Sequence, residues 1–233
     1  MKQHTLALLA GFTICLTSLN SAAADLKQEL IDGIRKLEQA SGYSWSYVPK
    51  VTGSESAGRS QAPFSGKTDK DGYALIQGKS GDTEVELATK GEKLVVNYNG
   101  GWISTAEIGE QNSTVKRLRL IKRPSEEARL LADKALGLKK GTDGAITTDL
   151  DGAWAKEIFS LLGRRAAAAP SAQGLARFFL KDGVLHKYEF TVRGKIRSRD
   201  DTQEVDLINT ITVEIKDVGN TTLEIPEEAK QKL

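Results

Sequence analysis

Two segments in the last third of the chain alternate apolar and polar residues over nine to twelve positions, and that pattern leaves few folds open. In the first, Val184, His186, Tyr188, Phe190 and Val192 share one side, while Leu185, Lys187, Glu189, Thr191 and Arg193 share the other. In the second, Val205, Leu207, Asn209, Ile211, Val213 and Ile215 oppose Glu204, Asp206, Thr210, Thr212, Glu214 and Lys216. Side chains of a strand point to alternate faces, so a period of two predicts strands with one oily and one wet side. Strands usually run to about five or six residues. Longer one-faced strands predict a strongly curved sheet whose apolar side must be covered.

The rest of the chain supplies strands and covers. Leu26, Leu30, Ile34 and Leu37 recur at helical spacing, which predicts a helix over about 25–40 that stops at Ser41-Gly42. Tyr43, Trp45, Tyr47 and Val51 line one face of a strand, and the Gly-, Ser- and Gln-rich stretch 53–62 reads as a loop. Short alternating segments at 73–79, 83–89, 92–98 and 102–108 are separated by Gly81-Asp82, Gly91 and Asn99-Gly100, a meander of hairpins. Lys181-Asp182-Gly183 joins 175–180 to the first long strand in the same way. Between these sets, helices are expected from Ser125, carrying Ala128, Leu131, Ala132 and Ala135, and over about 151–162, carrying Trp154, Ile158, Leu161 and Leu162. Acidic Glu126 and Glu127 at the start of the former helix suit its dipole, as do Lys139-Lys140 past its end. Gly141 to Gly144 reads as a linker and Ala166 to Ser171 as a loop. Strands, then helices, then strands, without βαβ alternation, give an α+β domain on an antiparallel sheet of eight to eleven strands.

The first residues carry an export pattern. Lys2 gives a positive start, Leu6 to Leu19 an apolar run, and Ala22-Ala23-Ala24 a small-residue cleavage site before Asp25. The run is shorter than the roughly twenty residues that span a bilayer, so a cleaved signal over 1–24 is expected rather than an anchor. Cys15 follows Phe12-Thr13-Ile14, not the small residues that lipoprotein processing wants, and reads as a passenger in the run. Cleavage leaves 209 of 233 residues as a single domain, with no cysteine and a net charge of +1. Stability must then come from the core, and near-neutrality gives no argument for nucleic acid. The expected place is the periplasm, or secretion.

The C-terminal third resembles the superfamily of the outer-membrane lipoprotein carrier LolA and the mycobacterial lipid-carrying lipoproteins of the LppX and LprG type. The resemblance lies in Leu180 to Tyr188, in Ile211 to Gly219 and in Leu223 to Ala229, with the same order of elements before them. It implies an unclosed antiparallel β-barrel around a hydrophobic cavity, with an N-terminal helix and a central helical insert over its concave face. It also implies a non-enzymatic binding protein that shelters an acyl chain, a lipid or a lipoprotein in transit through the periplasm.

Several residues are candidates for such a site, each with an ordinary alternative. His186 and Asn209 interrupt the apolar faces; they either satisfy one another or water in a common core, or orient the polar end of a ligand. Tyr43, Trp45, Tyr47, Tyr98 and Trp102, with Trp154 on its helix and Tyr188, Phe190 and Ile211 on the long strands, line a cavity or fill a core. Lys116, Arg117, Arg119, Lys122 and Arg123 form the one dense basic run, a contact for anionic membrane or a solvated surface. Catalytic patterns are thin. The mature chain offers one histidine and no cysteine, no Gly-x-Ser-x-Gly turn, and no glycine four residues before Gly66-Lys67-Thr68 to make a phosphate loop. No metal or cofactor is expected. Beside the carrier stand two alternatives, an envelope interaction protein with a filled core that binds another envelope protein, and a hydrolase working through paired carboxylates.

Overall fold

A computed structural model describes residues 15–53, 62–80, 83–98, 100–109, 115, 118–119, 121–198, 200 and 202–233, with backbone alone for 15–22, 80 and 98. The chain opens with helix α1 (Cys15–Glu38), which buries Leu30, Ile34 and Leu37. Six strands follow: β1 (Gly42–Thr52), β2 (Phe64–Asp69), β3 (Tyr73–Ser80), β4 (Thr83–Lys90), β5 (Lys93–Tyr98) and β6 (Gly101–Ser104). Then come α2 (Thr105–Ile108), α3 (Pro124–Asp133), β7 (Lys139–Lys140), β8 (Ile146–Leu150), α4 (Gly152–Ser160) and α5 (Arg164–Ala168). The chain closes with β9 (Gln173–Lys181), β10 (Val184–Arg197), β11 (Glu204–Lys216) and α6 (Glu227–Lys232).

All eleven strands form one antiparallel sheet in the order β6-β5-β4-β3-β2-β1-β11-β10-β9-β8-β7. The fold is therefore α+β with a sheet that does not close on itself, as its sequence predicts. Two meanders meet where the first strand pairs with the last, Tyr47 opposite Val213. The β9–β10 hairpin turns through Asp182 (φ 53°) and Gly183 (φ 71°), the two positive angles that a tight hairpin requires. Strand β6 is at one edge and β7 at the other, so the chain between them must cross the whole sheet. It does so over one face: Ile108, Leu118, Ile121, Ala128, Leu131, Ala132 and Leu138 all pack into the main core on that side. The crossover is thus itself the cover. Pro at the first position of α3 and Glu126 reaching back to Arg123 N at 3.4 Å start that helix in place.

Three apolar clusters result. The main one lies between the inner face of the sheet and α1, α3 and Trp154 of α4. A second puts Ala155 and Phe159 of α4 and Ala166 of α5 against Val192, Ile196 and Leu207 at the far end of the long strands. Gly194 makes room there, because a β-carbon on it would stand 2.9 Å from the Phe159 ring. The third lies on the opposite, outer face, where α6 and its approach set Ile225, Ala229 and Leu233 on Ala88, Val95 and Trp102. Strands β3–β6 are therefore covered on both sides, and Leu94-Val95-Val96 reads as an unbroken apolar run for that reason.

Several expectations need correction. The alternation in β10 slips by one: Leu185 pairs with Leu180 but Lys187 with Phe179, leaving His186 as the extra residue of a β-bulge. Leu185, expected on the wet side, is fully buried with Tyr188, Phe190 and Val192. Of the stretch Ala166 to Ser171 read as loop, 166–168 belong to α5, and α1 begins ten residues upstream of Asp25. Strands β2 and β8 and helix α6 carry too few periodic positions to have been seen. Positions 54–61 of the expected loop 53–62, positions 81–82 and 99 of the expected turns, the residues Lys116 and Arg117, and positions 1–14 of the expected signal lie outside the described residues.

Candidate functional site

The inner face is an aromatic wall laid out in rungs. Tyr47, Val213, Tyr188, Phe178 and Ile146 stand side by side across β1, β11, β10, β9 and β8. One step along lie Pro49, Ile211, Phe190, Ala176 and Thr148, and one step further Val51, Asn209, Val192, Gly174 and Leu150. Toward the other edge, Trp45, Gly66, Ile76, Leu87 and Val96 form a rung across β1–β5. Tyr47 stacks on Phe64 with ring centres 4.3 Å apart, and Trp45 meets the same ring edge-on at 5.7 Å. The absence of a side chain at Gly66 lets the Trp45 indole lie flat on the sheet, since a β-carbon there would come within 2.5 Å of it. Trp154 faces Phe190 from the helical side at 6.3 Å.

Polar groups under this cover are few and specific. Tyr43 donates to Ser125 Oγ at 3.2 Å, and Tyr188 donates to Glu127 Oε2 at 2.6 Å, so the first turn of α3 is pinned to the wall by two phenols. The Glu127 side chain is part-buried beneath α3, and burial raises its carboxyl to about 7, against the lowering effect of the Tyr188 bond and of Lys122. Burial, with Glu127 close by, likewise pushes the phenols of Tyr47 and Tyr188 up. Asn209 is 4% exposed and its Oδ1 has no hydrogen-bond partner. By contrast buried Thr68, Ser125, Thr148 and Ser198 all have one. At its outer margin the cover is tied by Arg129 to Glu38 (2.9 and 2.8 Å), by Lys140 to Glu29 (2.7 Å), and by Lys27 donating to the Ala132 carbonyl.

Of the residues singled out in the sequence, Tyr43, Trp45, Tyr47, Trp154, Tyr188, Phe190 and Ile211 come together in the main cluster or against it, and Asn209 stands at its border with the second. Two do not join them. Trp102 points outward and is buried by α6, because it pairs with Asn97 on the face opposite Val96. His186, displaced by the bulge, lies edge-on to Phe179 at 6.5 Å, on the outer side where Arg177 and Lys187 also sit over that ring. It does not meet Asn209. The side chain of Tyr98 lies outside the described residues. Within the basic run, Arg119 donates to Thr105 Oγ1 at 3.5 Å and Arg123 is paired with Glu126, while Lys122 is exposed.

Glu127 escaped sequence reasoning because acidic residues in a first helical turn already have a reason to be there. Its neighbour Glu126 serves that purpose, whereas Glu127 stands one helical turn before buried Leu131, which was the available signal. No group of three His, Cys, Asp or Glu side chains that would hold a metal gathers among the described residues, and no helix there is long and apolar enough to cross a membrane. Two open concavities, of about 850 and 550 Å³, lie along the outer face and rim of β1–β5, the smaller beside Thr222, Leu223 and Glu224. Neither lies between the inner wall and its helices.

No protein-family model matches the chain, and no curated protein matches its sequence. Among solved structures, several resemble the chain at low identity. The lipoprotein LppX of Mycobacterium tuberculosis is 11% identical with a TM-score of 0.47, over 87% of this chain and 99% of that one. LprF of Mycobacterium bovis is 10% identical at 0.45, over 88% and 98%. A LolA-superfamily protein of Nitrosomonas europaea is 8% identical at 0.31, over 87% and 96%.

Proposed function

We propose that this chain is an exported binding protein that shelters a hydrophobic ligand, an acyl chain, a lipid or a lipid-modified protein, between the aromatic wall and helices α1, α3 and α4. The observation that carries this reading is the polar content of the wall. A core built only for stability would replace Asn209 by an apolar residue, since an unpaired buried polar atom costs about 1–3 kcal/mol, and would have no use for a carboxyl whose burial raises it to about 7, as at Glu127. The covering helix α3 adds to it: beside the apolar packing of Ala128, Leu131 and Ala132, its first turn and outer margin meet the wall and α1 through hydrogen bonds of Ser125, Glu127 and Arg129, and on this reading the crossover parts there to admit the ligand. Each methylene moved out of water is worth about 0.8 kcal/mol, which a chain of some sixteen carbons would turn into roughly 12 kcal/mol before entropy losses. The amino-terminal apolar run fits delivery to the periplasm, where such a ligand needs shelter.

A second reading is favoured by the position of the concavities. Both open on the outer face and rim, which suits an envelope interaction protein whose inner core stays filled. Native mass spectrometry of the chain purified from a bacterial envelope separates the two. The carrier gives a lipid-mass adduct that is lost on denaturation. A bare mass, together with no uptake of a fluorescent long-chain probe, overturns the carrier and leaves the filled-core protein.

A further inference from the structure

Four large apolar side chains are exposed among the described residues, Val48, Leu136, Leu161 and Leu175, and three of them have carboxylates for neighbours. Leu136 and Leu175 both adjoin Asp149, the first through its N–H to the Asp149 carbonyl at 2.9 Å, the second as the residue paired with it. Val48 lines the larger outer concavity together with Glu84 and Glu86. Leu161 is placed differently. It is 53% exposed at the elbow between α4 and α5, and the fifteen residues from Ile158 to Ala172 hold two arginines and no acidic residue. Ala167, Ala168 and Pro170 are exposed on the same short segment, and Gly163 (φ 126°) makes its turn. Arg164 is exposed, and Arg165 is held at the elbow by donating to the Arg197 carbonyl at 3.1 Å. Lys156 brings a third cation against α5, donating to the carbonyls of Ala166 and Ala167 at 3.2 and 2.7 Å. Glu157, one turn before Leu161, is the closest acidic residue along the chain. Ala155, Phe159 and Ala166 seat the elbow on Val192, Ile196 and Leu207, so its outer side is firmly presented.

From this placement we propose that the α4–α5 elbow is a docking surface for an anionic lipid bilayer, laying Leu161, Ala167 and Ala168 against the membrane with Arg164 and Arg165 at the headgroups. An apolar side chain flanked by arginines suits that boundary, since the stem of an arginine lies along apolar surface while its guanidinium reaches phosphate. Each cation at an anionic surface raises partition by about fivefold at low salt, and the gain fades within a Debye length as salt is added. With one leucine and a few charges the contact is shallow and reversible, not an anchor. It needs nothing beneath the cover, and so stands whether the inner wall carries a ligand or not.

The test is co-sedimentation of the chain purified from a bacterial envelope with phosphatidylcholine vesicles, prepared with and without phosphatidylglycerol. Partition should be about tenfold or more higher on the anionic vesicles and should fall as salt is added. Leu161→Glu should lower it by about tenfold, through loss of a half-exposed leucine and gain of a negative charge, and Arg164→Glu by a similar factor. Glu157→Lys should raise it, because it removes the one carboxylate beside Leu161. Leu136→Glu, at a side chain as exposed as Leu161, should leave it unchanged. All four positions are at the surface, and thermal unfolding checks that each variant folds as the native chain does. Partition that Leu161→Glu and Arg164→Glu leave unmoved, or that Leu136→Glu lowers equally, overturns the assignment to this elbow. No sedimentation with anionic vesicles overturns the membrane as partner. None of these results bears on ligand uptake, so the carrier reading stands or falls separately.

Discussion

Replacing Glu127 by Gln should stabilise the protein at alkaline pH and leave it nearly unchanged at acid pH. The carboxyl is displaced by burial from an ordinary 4.5 to about 7. Between these values the folded chain holds a proton that the unfolded chain has released, so stability is complete below the lower value and is lost as pH rises through the upper one. At about 1.4 kcal/mol per unit, the loss reaches roughly 3 kcal/mol once the group is ionised. The phenols of Tyr47 and Tyr188 are pushed up and stay neutral through this window, so the titration belongs to Glu127. Gln keeps the shape and still accepts from Tyr188 without ever charging. Urea unfolding followed by tryptophan fluorescence should therefore give variant and native chains within about 1 kcal/mol of each other at pH 4.5. Above pH 8 the variant should be the more stable by about 2–3 kcal/mol, a rise in melting temperature of about 5–10 °C for a domain of this size. Equal pH slopes in the two proteins would refute a carboxyl raised by burial beneath α3.

Two further outcomes follow from the division of the core. Trp102→Ala should cost about 3–5 kcal/mol of stability, yet leave long-chain ligand uptake unaltered, because Trp102 anchors α6 on the outer face. Loss of uptake in a chain that remains folded would tie the two faces together and contradict that placement. Gly66→Ala should cost about 1–3 kcal/mol by forcing the Trp45 indole off the sheet, with a change in near-ultraviolet dichroism from that ring; an unperturbed signal would mean the indole does not rest there.

Most of the sheet was legible because β11 keeps its period without interruption: Leu207 to Ile215 are buried at every second position, as their alternation predicts. Strand β10 shows the limit of that argument. Its sequence fits a regular strand equally well, and the bulge that turns Leu185 inward and His186 outward is decided by pairing with Leu180 and Phe179, which no single segment encodes. Trp102 failed for a related reason, since a strand covered on both faces has no wet side to mark its orientation. Within the site, the aromatic residues of β1 and Asn209 were visible as apolar and interrupted faces. Ser125 and Glu127 were not, because their partners Tyr43 and Tyr188 are 82 and 61 residues away and only the fold brings them together.

On the proposed carrier reading, the helical crossover lifts from the aromatic wall to admit a hydrophobic ligand. Spin labels at Asp133, exposed at the end of α3, and at Arg193, exposed on β10, report that separation directly by pulsed electron resonance. The distance between them should lengthen and its distribution shift as 1-hexadecanol is added to the full chain. A distribution that stays the same up to the solubility limit of the alcohol would contradict a movable cover over a ligand-binding wall.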